Sequence, residues 1–199
     1  LYISLHRPQK QPLDLIMKLK HKREKKILQV IDKFCITKNL NLKILGKHIN
    51  IKAQEDEKKY YESILGKQFT FIGNTKNRNT YKYLDNSEII VSTGSTMFLE
   101  SLARKNKTAI MHSFPNKECY WGYHTKRKID GFFWTNDLTE KKIFKVLNNL
   151  KKISKYNWQK KLKKFEYETC AYDYKNMKLK KMIKKTCYNH KFNVTPFLI

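Results

Sequence analysis

Acidic side chains are scarce: seventeen Asp and Glu face forty-three Lys and Arg over 199 residues, a formal net charge of +26. Internal ion pairs cannot neutralise that excess, so the surface meets solvent or anions, and phosphate is the obvious anion. Arginine is scarce as well, with only Arg7, Arg23, Arg78, Arg104 and Arg127 among the basic residues. Proteins that read nucleic acids place arginine where bidentate contacts count. The charge therefore reads as solvated lysine faces, and no nucleic acid is expected as a partner. Cysteine is confined to Cys35, Cys119, Cys170 and Cys187. They lie far apart with no C-x-x-C pair, which argues against a zinc cluster or a disulfide framework and fits a reducing cytoplasm. No apolar run approaches the roughly eighteen residues of a membrane span, and no signal peptide opens the chain. No repeat and no linker rich in glycine, proline or serine divides it. What is present, 40% hydrophobic and 13% aromatic residues, suffices for a packed core in one domain.

Along the chain, short apolar runs alternate with charged helical stretches. Leu1-Tyr2-Ile3-Ser4-Leu5 reads as a strand ending in the polar loop at His6-Arg7-Pro8. Leu15, Leu19, Ile27, Val30, Ile31 and Phe34 recur at helical spacing from Leu15 to Thr37. Leu40 to Leu45 is a second strand closing at Gly46. Glu55 to Leu65 is a helix with an acidic first turn, and Phe69 to Ile72 a third strand. A short helix from Asn79 to Leu84 precedes the continuous apolar run Glu88-Ile89-Ile90-Val91, which suits a strand buried on both faces. Thr93-Gly94-Ser95 turns into a helix from Thr96 to Lys105, followed by a strand from Thr108 to Met111. After a loop from Phe114 to Thr135, helices over Leu138 to Ile153 and Tyr156 to Cys170 close the fold, with Thr135 or Asn136 as the cap of the first. This β-α alternation predicts an α/β fold, a doubly wound parallel sheet of Rossmann-like type with carboxyl-terminal helices. The domain is expected to span 1–176, with a basic tail over 177–199.

Ligands of such sheets sit at the carboxyl ends of the strands. The sharpest junction there is Ser92-Thr93-Gly94-Ser95-Thr96. Gly94 permits a tight turn, Ser95 or Thr96 can cap the helix, and the free N–H groups of its first turn suit a phosphate. Glu100, one turn on, can accept hydrogen bonds from the vicinal hydroxyls of a ribose. The alternative is ordinary turn chemistry with a solvated glutamate. Arg7 and His6 follow the first strand and are candidates to stabilise a departing nucleotide, or residues of a solvated loop. Lys47 and His48, after the second, can add to the base or phosphate pocket. His124, in the aromatic loop after the last core strand, is a candidate general base, or a hydrogen-bonded structural residue. The lysine-rich helices from Lys141 to Lys164 are a candidate contact with an anionic membrane.

The stretch Ser92-Thr93-Gly94-Ser95-Thr96 with Glu100, followed by Ser101-Leu102-Ala103 and Thr108-Ala109-Ile110, resembles the donor-nucleotide motif in the carboxyl-terminal half of GT-B glycosyltransferases. Tyr81-Lys82-Tyr83-Leu84-Asp85, Gly131-Phe132-Phe133-Trp134-Thr135-Asn136 and Tyr172-Asp173-Tyr174-Lys175-Asn176 are similar to stretches of bacterial surface-carbohydrate biosynthesis proteins. The resemblance covers roughly Leu40 to Asn176. It implies a metal-independent glycosyltransferase of surface polysaccharide assembly, with no cofactor and no metal. Its donor would be a nucleotide sugar and its acceptor a glycan or lipid-linked sugar, handled in the cytoplasm or at the inner face of the membrane. It also implies an acceptor domain ahead of Leu1, so that the present chain alone would be inactive. A nucleotide-sugar epimerase of the same fold and a non-catalytic basic module binding nucleic acid are the competing readings.

Overall fold

β-Branched and aromatic residues make short strands here, and helices follow the first four of them and the last, the first four returning the chain to the same edge for the next strand. The computed structural model describes residues 1–6, 15–75, 80–111, 130–168 and 177–189. Its strands are β1 (Tyr2–Ile3), β2 (Lys43–Leu45), β3 (Thr70–Ile72), β4 (Ile90–Ser92), β5 (Thr108–Met111) and β6 (Trp134–Thr135). The helices are α1 (Leu15–Thr37), α2 (Ile51–Leu65), α3 (Thr80–Asp85), α4 (Met97–Ala103), α5 (Glu140–Lys152), α6 (Lys155–Leu162) and α7 (Met177–Asn189). All six strands lie parallel in the order β3-β2-β1-β4-β5-β6. The chain winds outward from β1 to β3, returns to the middle and winds the other way from β4 to β6. The reversal opens a crevice between the carboxyl ends of β1 and β4.

Alternation along the strands sends side chains to both faces. Tyr2, Ile44 and Val91 join the larger core with Ile27, Ile31 and Phe34 of α1 and Ile143, Val146 and Leu150 of α5. Ile3, Leu45, Ile72 and Ile90 form a smaller cluster with Leu84 of α3 on the opposite face. This double coverage makes the fold an α/β, Rossmann-like one. At the β6 end, Trp158 is fully buried. Its ring meets Phe133 edge-on at 5.3 Å, and its indole N–H donates to the Lys105 carbonyl at 3.0 Å.

Several boundaries differ from the sequence reading. Helix α2 begins at Ile51 and has no acid in its first turn, because Asn50 caps it by accepting from the Ala53 N–H at 3.2 Å. Helix α4 is shorter than Thr96 to Lys105, ending where Lys105 takes φ 65°. β6 falls inside what reads as loop. The Thr135 hydroxyl donates to Asp130 at 2.7 Å, and Thr139 rather than Thr135 or Asn136 stands at the N-cap of α5. After α6 the backbone tightens into a 3₁₀ run over Lys163–Glu168, and α7 occupies most of the segment read as a tail.

Candidate functional site

Three loops meet at the carboxyl edge around β1. Ser4 and His6 leave β1, Gly46 to His48 leave β2, and Thr93 to Ser95 leave β4. Gly46 must stay small: a Cβ there would come within 2.7 Å of the Phe71 ring and 3.2 Å of a Glu57 carboxylate oxygen. Gly94 has φ 149°, a conformation that side-chain-bearing residues avoid, so it allows the β4–α4 turn to fold tightly.

Beneath these loops lies a buried polar network. The Tyr2 hydroxyl donates to Glu24 Oε1 at 2.6 Å and meets the Thr93 hydroxyl at 3.0 Å. The Ser4 hydroxyl donates to Glu57 and meets the Tyr61 hydroxyl at 2.7 Å. Glu57 Oε1 and Oε2 accept the Lys47 N–H at 3.0 and 3.1 Å, and Oε2 also accepts the His48 N–H at 3.4 Å. Helix α2 thus delivers one carboxylate that ties the ends of β1 and β2 together, while α1 delivers another, Glu24, that holds the Tyr2 hydroxyl, and that hydroxyl in turn meets Thr93 just after β4.

Burial makes this network electrostatically unusual. It raises the Glu24 carboxyl above its ordinary range, against the opposing pull of the Tyr2 hydrogen bond and of Lys20 one turn earlier. Burial, and then the neighbouring Glu24 charge, push the Tyr2 and Tyr61 phenols well above theirs. His6 is 5% exposed, and desolvation lowers its pKa despite the attraction of Glu57. Its Nδ1 stands 3.4 Å from His48 Nε2, with the two rings edge-on at 5.5 Å. Tyr60 stacks obliquely on His6, its centroid 5.1 Å away.

The residues singled out in the sequence divide among these positions. Ser92 and Thr93 are buried, at 0% and 1% exposure, so their side chains shape the loop from within. The Ser92 Oγ accepts the Gly94 N–H at 3.4 Å, and the Ser95 Oγ accepts the Met97 N–H at 3.4 Å. Thr96 is exposed and makes no capping bond. The Glu100 carboxylate accepts the Tyr81 hydroxyl through Oε2. Lys47 is exposed at its side chain, and its backbone carbonyl accepts the Asn74 amide at 2.9 Å. Arg7 and His124 lie outside the described residues, as does most of the aromatic loop.

Sequence reasoning missed Glu24, Glu57 and the tyrosines that serve them. A signal existed: Glu24 falls on the same helical stripe as Ile27, Leu28 and Ile31, and Glu57 on that of Tyr61 and Ile64. A carboxylate inside an apolar stripe has to find buried partners. His6, His48 and Glu57 also form a group whose ligand atoms all lie within 4.8 Å of one another.

A cavity of about 220 Å³ opens at the opposite, amino-terminal edge, walled by Phe34, Cys35, Asn86 and Glu88. It is remote from the loops that doubly wound folds use for ligands, so the carboxyl edge is the better candidate. No helix among the described residues is long and apolar enough to cross a membrane.

Comparison with known proteins adds one finding. No curated protein and no solved structure matches the chain. A family model described as "putative O-antigen biosynthesis protein" matches residues 10–187, which take in α1 through most of α7, with β2 to β6 and the Glu24, Glu57 and Gly94 positions of the site. With that share of its length matched, the chain belongs to this O-antigen biosynthesis family.

Proposed function

We propose that the chain is the donor-binding half of a GT-B-like glycosyltransferase that builds surface polysaccharide. The observation that carries this reading is the β4–α4 loop: at the strand-order reversal, Gly94 at φ 149° turns the backbone beside the crevice, and the first turn of the helix that follows carries a glutamate, Glu100. Membership of an O-antigen biosynthesis family supports the same substrate class, since such polymers are assembled from activated sugars. Tyr81 steadies the Glu100 carboxylate through Oε2, which leaves Oε1 for the vicinal hydroxyls of a ribose. The exposed Lys47 side chain is on the same edge and can meet phosphate oxygens. In the reaction, an acceptor hydroxyl attacks the anomeric carbon and gives up its proton to solvent, the glycosidic bond to phosphate breaks, and the nucleotide leaves with the bonding electron pair. Backbone N–H groups of the β4–α4 loop and Lys47 then stabilise the charge that develops on it. The acceptor, glycan or lipid-linked, is held elsewhere in the complete enzyme.

A thermal-shift screen against nucleoside mono- and diphosphates and nucleotide sugars, at two salt concentrations, tests the reading. A base-selective rise in Tm that disappears in Glu100→Ala, with the far-UV spectrum unchanged, is the expected result. Binding that is equally strong for any polyanion, falls steeply with salt and survives the substitution would overturn it in favour of a basic nucleic-acid module.

A further inference from the structure

The hydrogen bonds of the carboxyl edge leave one arrangement unaccounted for. His6 and His48 come from different loops, yet their ring nitrogens face each other at 3.4 Å, the outer limit for a hydrogen bond. A tetrahedral ion bound at about 2.0–2.1 Å holds two nitrogen ligands about 3.3–3.4 Å apart. The third member, Glu57, is fully buried and lies within 4.8 Å of both. We propose that His6 Nδ1, His48 Nε2 and a Glu57 carboxylate oxygen bind one divalent transition-metal ion of the zinc, cobalt or nickel class.

The ligand chemistry selects that class. Two imidazoles and a single carboxylate suit borderline transition metals, whereas calcium and magnesium take oxygen ligands. The support around the ligands is already built. The Ser4 hydroxyl and the Lys47 and His48 N–H groups orient the Glu57 carboxylate. Because the Lys47 N–H is shared between both oxygens and the His48 bond is long, Oε2 retains a lone pair among the roughly four sites of a carboxylate. Tyr60 packs against the His6 ring and fixes its plane. Each imidazole turns its lone pair inward when its proton sits on the other ring nitrogen. His48 is only half buried, so the ion has a way in and a fourth position open to water or an anionic oxygen. Neither the ion nor its site depends on the glycosyltransferase reading, and the test below can fail without affecting that one.

The full chain, stripped with chelator, is titrated with cobalt(II) alone and followed by visible absorption and thermal unfolding. One equivalent should bind with the intense bands of tetrahedral cobalt and raise Tm, and zinc should displace it. His48→Ala, at a half-exposed position, should weaken binding by about tenfold or more, and Glu57→Gln should do the same. His21→Ala should leave binding intact, since His21 touches the Tyr60 ring at 5.6 Å but stands outside the three ligands. Weak octahedral bands rising over several equivalents, or affinity unchanged in both ligand variants, would overturn the proposal.

Discussion

Replacing Tyr2 by phenylalanine isolates a single hydroxyl at the centre of the fold. The ring would stay where it is, fully buried and edge-on to Tyr61 at 6.1 Å. What is lost is the 2.6 Å donation to Glu24 and the 3.0 Å contact with Thr93. A hydrogen bond to a buried charged group contributes about 1.5–3 kcal/mol. For a chain of this size that corresponds to a fall in Tm of about 3–12 °C. The loss should depend on pH, because Glu24 carries a raised pKa from burial, which the Tyr2 bond partly offsets. A carboxyl with a raised folded-state pKa favours folding when protonated, and that advantage is lost as pH rises through the folded value. Removing the Tyr2 donor raises that value further, so the variant should lose little near about pH 4 and the full amount near about pH 8. Thermal unfolding of both proteins by circular dichroism at the two pH values measures it. A loss below about 0.5 kcal/mol at neutral pH, or equal losses at both, would refute the assignment of Glu24 as the ionised partner.

Two further outcomes follow from other parts of the structure. Trp158→Ala removes a fully buried ring and its bond to the Lys105 carbonyl, and should cost about 3–5 kcal/mol in urea unfolding. A cost below about 1 kcal/mol would mean that the β6 end adds little to the core. At high pH, Tyr2, Tyr60 and Tyr61 resist ionisation through burial and the nearby Glu24 charge. Unfolded phenols ionise near about pH 10, so stability should fall above that value, by up to about 4 kcal/mol per pH unit for the three groups together. Their phenolate absorbance should appear only with unfolding, and ionisation of all twelve tyrosines in the folded protein would contradict this.

Most elements were legible in the sequence, the four-residue β5 at Thr108–Met111 included; β6, α7 and the limits of α2 and α4 were not. The stripe through Ile27, Ile31 and Phe34 delimits α1 at Leu15–Thr37, as the structure has it. The start of α2 was obscured because its cap, Asn50, follows the exposed Ile49 and precedes the still more exposed Ile51, so no apolar stripe marks the first turn. β6 holds only Trp134 and Thr135, too few for a period to register, and Phe133 beside them makes the segment read as aromatic packing. The loop at Ser92 to Ser95 could be located from its glycine and hydroxyls, whereas the burial of Ser92 and Thr93 could not. Glu24 and Glu57 were hidden by their surroundings. In a chain with so many charges an isolated glutamate reads as surface, and only the fold reveals that Tyr2 and Ser4 lie opposite them.

The strand order also bears on how the molecule assembles. β1 lies between β2 and β4, and Tyr2 pairs with Val91, a partner 89 positions along the chain (91 − 2). At a ribosomal rate of about 5–20 residues per second, β4 emerges about 4–18 s after β1. Through that interval β1 can pair with β2, and β2 with β3, but the other edge of β1 remains unpaired, a template for another nascent chain. The contact between Tyr2 and Thr93 closes only when β4 arrives. The crevice is therefore among the last features to form, and truncations ending between β3 and β4 should aggregate rather than yield a smaller folded unit.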